Sequence, residues 1–204
     1  MKIFNEKGTL IDHQSVEYIE QHLANKYIKS RHKVLELGAR YGSVSIITNK
    51  IVEDKSSHFV VEPDSEVWEA LEKNMKLNDC NFNIIKGVIG KNKYNLVGEG
   101  YSRRSIPVKD SSAEVLSTVG LVPPSNSFPL PDVDFNALIV DCEGFLEIFY
   151  EENKSLFDNL QLMIIECDEP QHCNYPYLFE EFKKLNFTIV EEIRAYCNYF
   201  VLIK

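Results

Sequence analysis

Short apolar runs alternate along this chain with longer stretches whose apolar residues recur every three or four positions. The runs at residues 33–37, 58–61, 82–85, 136–140 and 161–167 are nearly continuous in apolar character, the pattern of strands buried on both faces. Between them, residues 43–53, 65–78 and 145–157 carry helical spacing; in 65–78 it places Val67, Trp68, Leu71 and Met75 on one face. Residues 177–185 give another helix. The last two strands, 187–192 and 199–203, are joined too closely for a crossover helix and should pair antiparallel. Ahead of all these, residues 12–27 set Val16, Ile19, Leu23 and Tyr27 along one helical face, with Asp12 or Ser15 available to cap the start.

This alternation predicts an α/β fold: a mostly parallel seven-stranded sheet with helices on both faces and a C-terminal antiparallel hairpin. A single domain over residues 1–204 is expected, with an N-terminal helical segment at 1–32 and an irregular insertion at about 91–134. The insertion holds Gly98, Gly100, Pro123, Pro124, Pro129, Pro131 and many serines, so most of it should lack regular structure, apart from a short helix around 112–116. Loops of that length in compact domains are usually functional.

Composition narrows the classes. Hydrophobic residues make up 44% and charged residues 26%, which is ordinary for a globular domain and excludes a fibre or a disordered chain. The net charge of −9 disfavours a broad grip on nucleic acid, since the compact basic groups are only residues 29–33 and the pair Arg103 and Arg104. No apolar run approaches membrane-spanning length, and the N-terminus lacks the apolar core of a secretion signal. Five cysteines, odd in number and without a CxxC pair, read as free thiols in a reducing compartment, so a cytoplasmic location is expected.

The chemistry begins at Val34-Leu-Glu-Leu-Gly-Ala-Arg-Tyr-Gly42, a strand running into a glycine-containing turn and then a helix. Glycines let backbone approach a ligand closely, and Glu36 adds a carboxylate where a cationic amino group would be held. That acid speaks against a phosphate ligand and against the GxGxxG loop, which is absent. The second strand ends at Glu62-Pro63, an acid roughly 20 residues past the loop, the spacing used to grip ribose hydroxyls. The third ends at Gly87-Val88, small and apolar enough for an adenine ring.

These segments, VLELGARYG, FVVEPDSEVWEALEKNMKLN, IIKGVIG and ALIVDCEGFLEIF, resemble the FkbM family of S-adenosylmethionine-dependent methyltransferases over about residues 34–167. Asp141-Cys-Glu143-Gly144 is the most family-specific part. The resemblance implies a Rossmann-like class I methyltransferase fold, S-adenosyl-L-methionine as cofactor, and O-methylation of a sugar, glycan or other small hydroxylated acceptor. It implies cofactor contacts from Glu36, Gly38, Ala39, Gly42, Glu62, Pro63, Gly87, Val88 and Asp141. The chain departs from the family in Arg40 and Tyr41, in Phe145 where a small residue is commoner, and in its longer insertion.

Methyl transfer to a hydroxyl needs alignment and a base. Asp141 and Glu143, after the fourth strand, are candidates for the base; Asp141 alternatively orders its loop or touches the cofactor's amino group. His172 is a further candidate base. Arg103 and Arg104 suit an anionic acceptor group, Tyr175 an aromatic platform, and Asp168 a substrate hydroxyl. The expected reading includes no metal, although Asp141, Glu166 and Asp168 would suit magnesium if a divalent ion is used. Nucleic acid and membrane are not expected partners, and a homodimer is compatible with the sequence. Two alternatives stand beside this reading: an NAD-type oxidoreductase on a similar sheet, and a non-catalytic binding module that keeps the methyltransferase fold.

Overall fold

The computed structural model describes residues 1–12, 16–108 and 122–204. His13, Ser15 and the short helix expected at 112–116 lie outside the described residues.

The chain opens with a two-stranded hairpin, β1 (Ile3–Phe4) and β2 (Leu10–Ile11), where only helix was expected. Helix α1 (Tyr18–Tyr27) follows, then β3 (Val34–Leu37), α2 (Ser43–Ile51), β4 (His58–Glu62), α3 (Trp68–Leu77) and β5 (Asn83–Lys86). The expected irregular insertion contains strands among its described residues. It comprises β6 (Val88–Ile89), β7 (Tyr94–Val97), β8 (Arg104–Pro107), β9 (Val122–Ser125) and β10 (Ser127–Phe128). Of these, β8, β7 and β9 form a small antiparallel sheet, and β6 pairs with β10 in parallel. The fold resumes with β11 (Ala137–Val140), α4 (Leu146–Glu152), α5 (Lys154–Asn159), β12 (Leu162–Cys167), α6 (Tyr175–Lys184), β13 (Thr188–Arg194) and β14 (Asn198–Ile203). One helix was expected over 145–157; Asn153, outside helical geometry at φ −131, divides it into α4 and α5.

The main sheet has the strand order β13-β14-β12-β11-β3-β4-β5. Pairing is parallel from β5 through β12 and antiparallel at β14 and β13, as the sequence predicts. The chain builds outward from β3 to β5 and then returns to place β11 against the other side of β3. That reversal opens a crevice at the carboxyl ends of β3 and β11, where ligands of such sheets bind.

Both faces of the sheet are apolar, and side chains alternate between them. Val34, Ala137, Ile139, Leu162 and Ile164 pack beneath α1 and α2. Leu35, Leu37, Leu138, Val140, Met163 and Ile165 pack with α4, α5 and α6 on the opposite face. A third cluster joins α3 to β1 through Ile3, Ile46, Val60 and Leu71. Among the described residues no helix is long and apolar enough to cross a membrane, and all five cysteines are unpaired.

Candidate functional site

Strand register determines which acids meet at the crevice. Leu37 pairs with Val61 on one side and Val140 on the other, and Val140 pairs with Ile165. The next row out is therefore Glu62, Gly38, Asp141 and Glu166 across four neighbouring strands. By the two-residue period these positions share the α1/α2 face with Val60, Ile139 and Ile164. Three carboxylates thus edge the sheet, with a glycine in the gap between Glu62 and Asp141.

Gly38 fills that gap because nothing larger fits. A Cβ there would run into the carbonyl oxygen of Asp141, and the residue's φ is +86. The backbone is locked on both sides: the Gly38 amide donates to the Val61 carbonyl at 3.0 Å, and the Asp141 amide donates to Leu37 at 2.9 Å.

A cleft opens above this row, lined by residues of the loops that follow β3, β4, β5 and β11. Its acidic wall is Glu17, Glu62, Asp64, Asp141 and Glu143, and its apolar wall includes Val88, Ile89 and Phe145. Glu62 accepts the Arg40 amide at 2.6 Å on one oxygen and the Asp64 amide at 2.7 Å on the other. Burial still dominates, and its carboxyl is raised to about 7. Glu17, at the start of α1, takes a hydrogen bond from Ser43 and is likewise raised to about 7, chiefly by burial. Asp141 stands well above the usual carboxylate range because it is buried and faces Glu166, Glu17 and Asp168. Glu143 is raised to about 8 by burial and by Asp168 and Glu169, and its φ of 52 turns it out of the loop.

Two arginines border the cleft, and both already have partners. Arg103 meets Asp64 at 2.5 Å and Glu66 at 3.0 Å. Arg40 donates to the Gly100 carbonyl at 2.9 Å and lies 3.7 Å from the Tyr101 ring centroid. These contacts fold residues 98–103 against the rim and give the departure at Arg40 a structural role.

Of the expected cofactor residues, Gly38, Glu62, Pro63, Gly87, Val88 and Asp141 line the cleft. Glu36 does not. It sits two residues deeper in β3, about 6.6 Å along the strand, fully buried, accepting from Ser45 Oγ at 2.6 Å and lying 3.2 Å from His58 Nε2. Its carboxylate ties β3 to α2 and β4. Gly42 and Ala39 also stay off the cleft. Gly42 begins α2 at φ +82, with its would-be Cβ 2.8 Å from Leu71, and Ala39 is packed in the core.

The expected acceptor residues divide similarly. Asp168 is a loop anchor: it accepts the amides of Glu143 at 2.6 Å and Gly144 at 2.9 Å and the Tyr175 hydroxyl at 2.9 Å. Tyr175 is thereby tied to Asp168 and largely buried, and it lines the second groove. Arg104 lies in β8 and does not line the cleft, although its neighbours Arg103 and Ser105 do. His172 is exposed and lines a second groove with Phe179, Phe200, Asn174 and Asn198, none of which lines the cleft. Sequence reasoning missed Glu17 and Glu20, both from α1. The signal was present for Glu20, which occupies the i+4 position of the stripe begun by Val16 and Ile19.

No protein-family model matches the chain, and no curated protein matches it. Among solved structures, the chain is similar to precorrin-6y C5,15-methyltransferase from Geobacter metallireducens GS-15. The TM-score is 0.56 at 12% identity, covering 94% of this chain and 88% of that one. A ribosomal protein L11 methylase from Lactobacillus delbrueckii subsp. bulgaricus gives a TM-score of 0.53 at 16% identity, covering 95% and 80%. A protein of the NADB-Rossmann superfamily from Streptococcus agalactiae gives 0.53 at 9% identity, covering 90% and 67%. The chain therefore has the Rossmann-like fold of these methyltransferases.

Proposed function

We propose that the chain is an S-adenosylmethionine-dependent methyltransferase of FkbM type that acts on a hydroxyl of a sugar, glycan or other small acceptor. The observation that carries this reading is the charge of the cleft. Five carboxylates line it, and its two guanidinium groups are already engaged with protein partners. Such a wall suits a cofactor bearing a sulfonium and an ammonium, whose charges favour the ionised carboxylates, and it offers the diphosphate of a nicotinamide dinucleotide no free cation. The fold and the methyltransferases that share it support the same reading, as does the resemblance at Asp141-Cys142-Glu143-Gly144.

S-adenosylmethionine supplies an activated methyl group whose departure from sulfur needs no metal ion. Glu62 holds the ribose hydroxyls, since each of its oxygens keeps a lone pair after accepting one backbone amide. Glu17 and Asp141 hold the ammonium, the role first assigned to Glu36. Val88, Ile89 and Phe145 form the apolar bed for the adenine. Glu143 receives the acceptor's proton: it lines the cleft, is only partly buried, and has its backbone fixed by Asp168. A polyol acceptor fits the acid-lined cleft, whose carboxylates can accept from its hydroxyls.

Transfer of a labelled methyl group to a panel of glycans and small hydroxylated compounds tests this reading. Glu143→Gln should retain cofactor binding and lower turnover at least a hundredfold. Full turnover by that variant would remove Glu143 from the mechanism. Absence of any labelled product together with absence of cofactor binding would favour a non-catalytic module.

A further inference from the structure

Behind the cleft, a second group of acids is unused by the methyl transfer. Glu20 projects from α1, one turn beyond Glu17, toward Asp141 and Glu166 at the sheet edge. One carboxylate oxygen from each of Glu20, Asp141 and Glu166 lies within 4.8 Å of the other two. Glu20 is only 2% exposed, and neither of its oxygens meets a hydrogen-bond donor among the described residues. Glu166 is also buried, accepts from the Tyr199 hydroxyl at 3.1 Å and has the Cys197 thiol as a second partner. Among the described residues no lysine or arginine forms an ion pair with any of the three.

An acceptor-only group buried against other acceptors is costly unless a cation or a proton stands between them. We infer that Glu20, Asp141 and Glu166 form a binding site for a hard divalent cation such as magnesium, manganese or calcium. All the ligands are carboxylate oxygens, the donor type those ions take. Two oxygens on opposite sides of one ion stand at twice the metal–oxygen distance, about 4.1 Å for magnesium and about 4.6 to 5.2 Å for calcium. The 4.8 Å limit on the separations of the three oxygens is within the reach of one calcium ion, and a magnesium ion would draw them closer.

The third ligand differs from the one the sequence suggested. Asp168 also lies near Asp141, in a group with Glu143. Its oxygens already serve two amides and a hydroxyl, whereas those of Glu20 serve no donor. Asp141 belongs to both the cleft and the cluster, so an ion has an entry route through the cleft and would fix the acid beside the ammonium site. Its role is to neutralise and position, and its binding can be measured without turnover.

Calorimetric titration of chelator-treated protein with Mn²⁺, Mg²⁺ and Ca²⁺ in separate runs, without S-adenosylmethionine, tests the site. At least one ion should bind at one equivalent and raise the melting temperature. Glu20→Gln and Glu166→Gln, each checked for a cooperative melt, should each weaken that binding at least tenfold. Glu20→Gln should leave S-adenosylmethionine affinity within threefold. No binding of any ion at 10 mM, roughly the weak limit of protein calcium sites, would overturn the inference and leave protons as the cluster's neutralising charge. Unchanged binding by both variants would place the ion elsewhere and overturn it equally. Loss of ion binding with cofactor binding intact would leave the proposed function standing.

Discussion

Gly38 and the carbonyl of Asp141 are packed so closely that a side chain on the first would occupy the position of the second. The turn leaving β3 and the acid ending β11 are thus one construction, secured by the Gly38-to-Val61 and Asp141-to-Leu37 hydrogen bonds. The cleft exists because this row of the sheet edge is backbone at its centre and carboxylate on either side.

Gly38→Ala should therefore be among the most disruptive single changes. The added methyl meets backbone, which cannot rotate away, and the φ of +86 is strained for alanine. A loss of about 3 kcal/mol or more of stability is expected, readable as a lower denaturant midpoint. Loss of less than about 1 kcal/mol would show that the two loops separate easily.

Glu62→Gln should weaken S-adenosylmethionine binding about tenfold to a hundredfold. It also affects the fold, because the side-chain amide would face one of the two backbone N–H groups that the carboxylate now accepts. A leftover buried donor costs about 1–3 kcal/mol. Comparing the calorimetric affinity with the denaturation midpoint separates the two effects. Unchanged affinity in a destabilised protein would make Glu62 a structural residue only.

Burial raises the carboxyls of Glu17 and Glu62 to about 7, from an ordinary value near 4.5. Between those two pH values the native protein keeps protons that the unfolded chain has lost, so stability falls as pH rises through this window. Both groups act in the same direction. Melting of the cofactor-free protein should be higher near pH 5.5 than near pH 8, and saturating S-adenosylmethionine should narrow the difference. A melting temperature that rises over this interval would contradict the assigned burial of these acids.

The sheet order was legible because five continuous apolar runs and one tight hairpin leave few ways to pair. The small strands inside residues 91–134 were hidden, since β7 and β8 are short and β9 contains two prolines. The site was legible at Glu62 and Asp141, whose places at strand ends follow directly from where each apolar run stops. The depth of Glu36 was not legible, because a strand climbs: two residues carried its carboxylate below the cleft to Ser45 and His58. Glu20 was legible as an acid on the apolar stripe of α1, but its meeting with Asp141 and Glu166, and the place of Glu17, depend on how α1 crosses the sheet, which no local pattern encodes.

The central claim is that an acid-lined cleft on this fold selects a cationic cofactor over a diphosphate one. Parallel calorimetric titrations with S-adenosylmethionine and with NAD test it most directly. The account predicts one-site binding of S-adenosylmethionine, weakened in Glu62→Gln, and no detectable heat with NAD. Saturable binding of NAD with none of S-adenosylmethionine would contradict it.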